Sequence, residues 1–135
     1  MTLVDTNVLL DLAKDDPDWA TWSVRQLEAA AARGALAVNP VIYAELSVGF
    51  ARIEEVDAFL AATAITVEPV PPPGLFLAGK VFRQYRAQGG TRTGVLPDFF
   101  IGAHAAVARL PLLTRDVGRY RTHFPTVTLI TPTAS

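Results

Sequence analysis

The stretch MTLVDTNVLLDL at residues 1–12 carries the pattern that decides the fold. Residues 2–5 predict a short buried strand, since apolar side chains lead up to Asp5. Residues 7–14 then predict a helix, because apolar residues recur there at helical spacing. The residues expected on its inner face are Val8, Leu9 and Leu12. A strand that leads directly into a helix, with Asp5 at the turn, is the opening expected of an α/β fold.

The rest of the chain continues this alternation. Further strands are predicted over residues 35–38, 65–67, 112–114 and 127–130. Further helices are predicted from an N-cap at Asp18 to a C-cap at Gly34, and over 41–50, 53–63, 75–88 and 98–110. The prolines at 71–73 and the loop at 89–94 separate elements. The alternation predicts a mostly parallel central sheet with helices on both faces, a three-layer α/β/α fold, and we expect residues 1–135 to form one domain.

Composition restricts the class of protein. The 135 residues are 50% hydrophobic and 19% charged, a balance typical of a well-packed globular domain. The chain has no cysteine, which excludes disulfides and cysteine-based zinc sites and suits a reducing compartment. No apolar stretch approaches the roughly 20 residues of a membrane helix, and the N-terminus lacks the pattern of a signal peptide. We therefore expect a cytoplasmic protein that does not span a membrane.

The net charge of −1 conceals an asymmetry between the two halves of the chain. Residues 1–68 contain 11 acidic and 4 basic residues, whereas residues 69–135 contain 2 acidic and 8 basic residues. Either the exposed helix faces differ in charge, or the basic half binds a polyanion such as nucleic acid. For the second alternative, the candidate phosphate contacts are Arg83, Arg86, Arg92, Arg115, Arg119 and Arg121.

Four acidic residues are candidates for a catalytic or metal-binding site. Asp5 and Asp116 follow predicted strands, and ligands of open α/β sheets bind beyond the carboxyl ends of strands. Asp98 opens an almost wholly apolar helix, where a carboxylate gains from the helix dipole. Glu45 flanks an apolar helical stripe, so it points partly into the core and needs a partner.

Each acid alone has an ordinary structural explanation. Asp5 and Asp98 could cap helices, Asp116 could be a turn residue, and Glu45 could edge an exposed face. Together, four acids at one cleft would repel each other unless a cation joined them, and a hard divalent ion such as Mg²⁺ or Mn²⁺ takes oxygen ligands. Such an ion can activate water for phosphodiester hydrolysis. The residues that could orient the water or the carboxylates are Thr6, Asn7 and Thr114.

Other motifs carry less weight. The run from Asp5 to Asn7 lacks the second aspartate of an aspartyl-phosphate phosphatase. The spacing of Gly74, Gly79 and Lys80 matches a P-loop, but Val81 replaces the magnesium-binding Ser or Thr. We expect His104 to be a hydrogen-bonded core histidine. The phenylalanines expected to pack in the core are Phe76, Phe82, Phe99 and Phe100.

The sequence resembles the PIN domain of VapC-type toxins over nearly its whole length. The similar segments are LVDTNVL at 3–9, YAEL at 43–46, DFFIGAHA at 98–105, and TRD at 114–116 followed by Arg119, Tyr120 and Phe124. The resemblance implies a Mg²⁺- or Mn²⁺-dependent endoribonuclease with an RNA substrate, a VapB-type antitoxin partner and a homodimeric assembly. It implies that Asp5 and Asp98 are the principal metal ligands. Glu45 and Asp116 would complete the acidic cluster and help to position water.

An alternative function keeps the same fold without catalysis. In that case the chain is a silent binding module that holds RNA or a protein partner through its basic half. Metal-dependent cleavage of RNA, abolished by changing one acid, distinguishes the two hypotheses. The sequence does not indicate which RNA would be cut.

Overall fold

The computed structural model describes residues 1–92 and 94–132 and contains one parallel sheet. The strands within this described part are β1 (Thr2–Val4), β2 (Leu36–Val38), β3 (Ile65–Val67), β4 (Leu112–Leu113) and β5 (Leu129–Ile130). Their order is β3-β2-β1-β4-β5, and each neighbouring pair is parallel. The predicted α/β class with a parallel central sheet is confirmed.

Helices connect the strands, as predicted, with one addition. They are α1 (Thr6–Ala13), α2 (Ala20–Arg33), α3 (Pro40–Ser47), α4 (Ile53–Ala62), α5 (Pro72–Ala87), α6 (Leu96–Ala108) and α7 (Val117–His123). The sequence did not predict α7. This helix is short and mostly polar, and Tyr120 is its buried residue, so it lacks the apolar repeat that marks a longer helix.

Several predicted helix ends are wrong, each for a local reason. Asp18 does not cap α2, because Asp16 Oδ1 accepts the nearby backbone hydrogen bonds from Asp18 and Trp19 at 2.9 Å each. Helix α5 begins at Pro72 rather than after the prolines, since proline suits a first helical turn. Helix α6 begins at Leu96 rather than at Asp98, so Asp98 lies within its first turn instead of opening it.

The core lies on both sides of the central strand. Leu3 and Val4 of β1 are fully buried, as are Phe99 of α6 and Tyr120 of α7. The expectation of a core position is wrong for Phe76, whose side chain is 68% exposed on α5. Helix α7 lies at the end of β1, because the hydroxyl of its buried Tyr120 contacts Asp5.

None of the helices in the described ranges has the length and apolar character that crossing a bilayer requires.

Candidate active site

The site forms where the chain order of the sheet reverses. From β1 the chain passes to β2 and β3 on one side and later to β4 and β5 on the other. The ends of β1 and β4 are neighbours, since Val4 pairs with Leu113 and the Asp5 backbone N–H donates to the Leu113 carbonyl at 2.9 Å. The residues that follow these strands, Asp5 and Thr114, therefore face the same crevice, which is the usual ligand site of an open α/β sheet.

Asp5 lies at the base of this crevice and is only 4% exposed. Its Oδ1 accepts the Thr6 backbone N–H at 2.8 Å, which caps α1. Its Oδ2 accepts the Thr114 hydroxyl at 2.7 Å and the Tyr120 hydroxyl at 3.0 Å. A buried carboxylate needs such donors, and these fix its orientation.

Burial and the nearby charge of Glu45 both disfavour the charged form of Asp5. Burial raises the pKa of Asp5 above its ordinary value, and the nearby charge of Glu45 adds to the increase, while the hydrogen bonds from Thr114, Thr6 and Tyr120 oppose it. Glu45 is half-buried, and its Oε1 accepts the Thr6 hydroxyl at 2.8 Å. Thr6 therefore contacts both acids, which supplies the partner that the sequence predicted Glu45 to need.

The charges of three of the four acids affect the pKa of the Tyr120 hydroxyl. Its pKa is raised well above the ordinary value of a tyrosine, chiefly by burial and then by the charges of Asp5, Asp116 and Glu45. A neutral phenol surrounded by carboxylates remains a hydrogen-bond donor. The structure thus brings these three acids into one electrostatic neighbourhood.

Thr114 connects Asp5 to the loop that carries Asp116. Besides donating to Asp5, its Oγ1 accepts the Asp116 backbone N–H at 3.0 Å and the Asn7 side-chain amide at 3.3 Å. Asn7 Oδ1 in turn accepts the Arg115 backbone N–H at 3.2 Å. The three polar residues expected to orient the site, which are Thr6, Asn7 and Thr114, all contact it.

Arg119 connects Asp98 to Asp116, because its guanidinium lies between their carboxylates. Nη1 of Arg119 pairs with Oδ2 of Asp98 and lies 3.8 Å from Oδ2 of Asp116. The Asp98 side chain is 20% exposed and that of Asp116 is 41% exposed, so both remain open to solvent on the side of α7. The guanidinium of Arg119 therefore pairs with Asp98 and lies near Asp116, and its single positive charge offsets one of these two negative charges.

The four acids offer the kind of ligand that a hard divalent ion prefers. All four predicted side chains offer carboxylate oxygens, and the repulsion between Asp5 and Glu45 is of the kind that a cation relieves. In residues 1–92 and 94–132, however, no three acidic, histidine or cysteine side chains already lie at the spacing of one ion. The Asp98 carboxylate that would hold such an ion is paired with Arg119 through Oδ2 in this arrangement.

Arg115, predicted as a phosphate contact, has another role. It forms a bidentate ion pair with Asp11, with Nε–Oδ2 and Nη2–Oδ1 distances of 2.8 Å. The Ser23 hydroxyl donates to the same Asp11 carboxylate at 2.7 Å, and the Arg115 guanidinium lies 4.8 Å from the Trp19 ring centroid. Arg115 thus anchors the loop after β4 to α1 and α2.

The remaining arginines present a more open surface. Arg83, Arg86, Arg92 and Arg121 are exposed. A groove of about 400 Å³ contains Arg92, Arg119 and His123 on one side of Asp116. Basic side chains therefore lie beside Asp116, and phosphate contact by the basic half of the chain stays a prediction.

Sequence reasoning missed two residues of the site. Tyr120 appeared only within the family resemblance, because its helix was not predicted. Asp11 is 2% exposed and was not considered. The available signal was its position four residues after Asn7, which places both on one face of α1, toward Arg115.

Comparison with known proteins agrees with this architecture. The sequence profile of the PIN domain matches residues 2–124. The chain therefore belongs to the PIN-domain family. A comparison with curated proteins finds no significant sequence match.

Solved structures resemble the whole chain. VapBC2 from Rickettsia felis, bound to a promoter DNA fragment, aligns with a TM-score of 0.75 and 18% identity over 98% of each chain. DNA-bound VapBC from Salmonella typhimurium aligns with a TM-score of 0.70 and 17% identity, over 97% of this chain and 98% of the other. A toxin–antitoxin complex from Klebsiella pneumoniae aligns with a TM-score of 0.68 and 22% identity, over 95% and 96%. At these identities the likeness establishes the fold.

Proposed function

We propose that this PIN domain is a Mg²⁺- or Mn²⁺-dependent endoribonuclease that acts as the toxin of a VapBC-type toxin–antitoxin pair. The observation that carries the proposal is the linking of three acids at the end of β1: Thr6 contacts both Asp5 and Glu45, and Thr114 joins Asp5 to the backbone of Asp116. The family membership and the solved toxin–antitoxin complexes of the same fold support it.

In this proposal Asp5 and Asp98 hold the metal, and Glu45 and Asp116 complete the acidic cluster. The bound ion supplies a water of lowered pKa and neutralises charge on the phosphodiester. Hydrogen bonds from Thr6, Thr114 and Tyr120 fix the orientation of the Asp5 carboxylate, which would support this role.

Glu45 and Asp116 would orient the attacking water and accept its proton. Glu45 is held by the Thr6 hydroxyl, and Asp116 is held through its own backbone by Thr114. Arg119, which pairs with Asp98 and lies near Asp116, would contact the phosphate of the substrate.

The partners follow from the same proposal. Single-stranded RNA is the substrate, and the groove with Arg92 and His123 lies where its backbone would approach Asp116. A VapB-type antitoxin would bind the folded toxin, and the toxin would form a homodimer.

A catalytically silent PIN module is the second candidate. It is favoured by one observation, namely that no three potential ligands in the described ranges are already spaced for one ion. In that case Arg119 would be the permanent counter-ion of Asp98 and Asp116.

Metal binding by the isolated protein separates the two candidates. Adding millimolar Mn²⁺ to the metal-free protein should raise the melting temperature, since a ligand that binds only the folded state stabilises it. The Asp98→Asn variant should show a much smaller increase, whereas the exposed Asp57→Asn variant on α4 should behave like the parent. An unchanged melting temperature of the parent protein would favour the silent module.

A further inference from the structure

A second concave surface lies beside the acids, between α3 and α6. It has a volume of about 560 Å³ and is lined by Pro40, Val41, Ala44, Glu45, Gly94, Leu96, Pro97 and Phe100. Apart from Glu45, these lining residues are apolar or glycine. Its volume lies in the range of small-ligand pockets.

This pocket is continuous with the acidic site. Glu45 belongs to both, because it lines the pocket and its Oε1 accepts the hydroxyl of Thr6, the neighbour of Asp5. On the opposite wall, Pro97 directly precedes Asp98. A phosphodiester held at the acids would therefore place one of its attached nucleosides at the mouth of the pocket.

The lining chemistry selects the kind of group that fits. Among the residues that the structure describes, no lysine or arginine lines the pocket, so these residues offer no counter-ion for a second phosphate. The Phe100 ring and the rings of Pro40 and Pro97 offer flat apolar surfaces, which suit the face of a nucleobase. Glu45 is the one lining side chain that could accept a hydrogen bond from a base amine.

We propose that the cleft between α3 and α6 is a nucleobase pocket that takes an unstacked base next to the phosphate at the acids. This inference rests on the proposed RNA substrate and adds how the substrate is held. Because stacking on an aromatic ring tolerates any base, the pocket selects for single-stranded RNA more than for sequence.

The test compares two probes that share a ribose-phosphate backbone. One is a fluorescein-labelled uridine 12-mer, and the other is the same 12-mer without bases. Binding is measured by fluorescence anisotropy in EDTA at constant salt, so no cleavage occurs. The parent protein should bind the uridine 12-mer on the order of 10-fold more tightly, the range expected for one base stacked on an aromatic ring.

Two variants then locate the preference. Phe100→Ala removes the ring, and Ala44→Leu fills the pocket from an exposed helix position without removing a core contact. Both should bind the two probes almost equally. The matched controls Phe76→Ala and Ala58→Leu change exposed residues outside the pocket and should keep the parental preference.

The proposal is overturned if the parent protein binds the two probes equally or binds neither, or if Ala44→Leu retains the preference. If the cleft bound a protein segment instead of a base, the two variants would keep any preference for the uridine 12-mer over the 12-mer without bases. This test does not depend on catalysis. A protein that fails to cleave RNA with metal present would still prefer the uridine 12-mer in EDTA if the pocket binds a base.

Discussion

Replacing Arg115 by glutamine should destabilise the metal-free protein by about 3 kcal/mol. Removing one partner of a buried ion pair costs roughly 3–5 kcal/mol, because the other charge remains buried without compensation. The Asp11 side chain is 3% exposed and that of Arg115 is 27% exposed, which places the cost near the lower limit. For a domain of this size, such a loss lowers the melting temperature on the order of 10 °C.

Urea denaturation in EDTA, followed by circular dichroism, measures this loss. The control is Arg121→Gln, which removes an exposed arginine from α7 and should change the free energy of unfolding by less than about 0.5 kcal/mol. A triple variant, Asp11→Leu with Arg115→Met and Ser23→Ala, should recover most of the stability, since apolar side chains of similar size can replace a buried pair and Ser23→Ala removes the hydroxyl that donates to Asp11. If Arg115→Gln were as stable as the Arg121→Gln control, the anchoring role of Arg115 would be refuted.

Two further predictions concern protonation and phosphate contact. Burial lowers the pKa of His104, whose Nδ1 accepts the Asn39 amide at 3.2 Å, so the unfolded chain takes up this proton first and stability should fall as the pH decreases below about 6.5. Urea denaturation at pH 7.5 and 5.5 should show a smaller loss in His104→Gln, and an identical loss would contradict the assignment. Changing Arg83, Arg86 and Arg92 together to glutamine should weaken RNA binding in EDTA and flatten its dependence on salt. An unchanged slope of log affinity against log salt would exclude these arginines as phosphate contacts.

The sequence predicted the sheet better than the helix ends. Strand β3 was placed at its observed bounds, because a short run of β-branched residues between two breaks has few alternatives. The N-cap of α3 was missed, although Asn39 Oδ1 accepts the Ile42 backbone N–H at 2.9 Å. A cap depends on one side-chain rotamer, which periodicity does not encode.

The site was predictable as far as it follows strand ends. Asp5 and Thr114 lie together because β1 and β4 pair, and a parallel sheet brings such residues to one edge. The partner of Arg119 was not predictable from spacing, since Asp98 lies 21 positions earlier on another helix. Arg115 likewise contacts Asp11 across a separation of 104 sequence positions, and only the assembled fold places them together.

The most direct test of the proposed function is RNA cleavage by antitoxin-free protein with and without Mg²⁺ or Mn²⁺. The account predicts cleavage that requires the metal and is lost in Asp5→Asn and Asp98→Asn, both of which should remain folded by circular dichroism, while Asp57→Asn cleaves like the parent. Asparagine can still cap a helix, but it lacks the charge that a cation site needs. Cleavage at the parental rate by either site variant, or equal cleavage in EDTA, would contradict the assigned metal site.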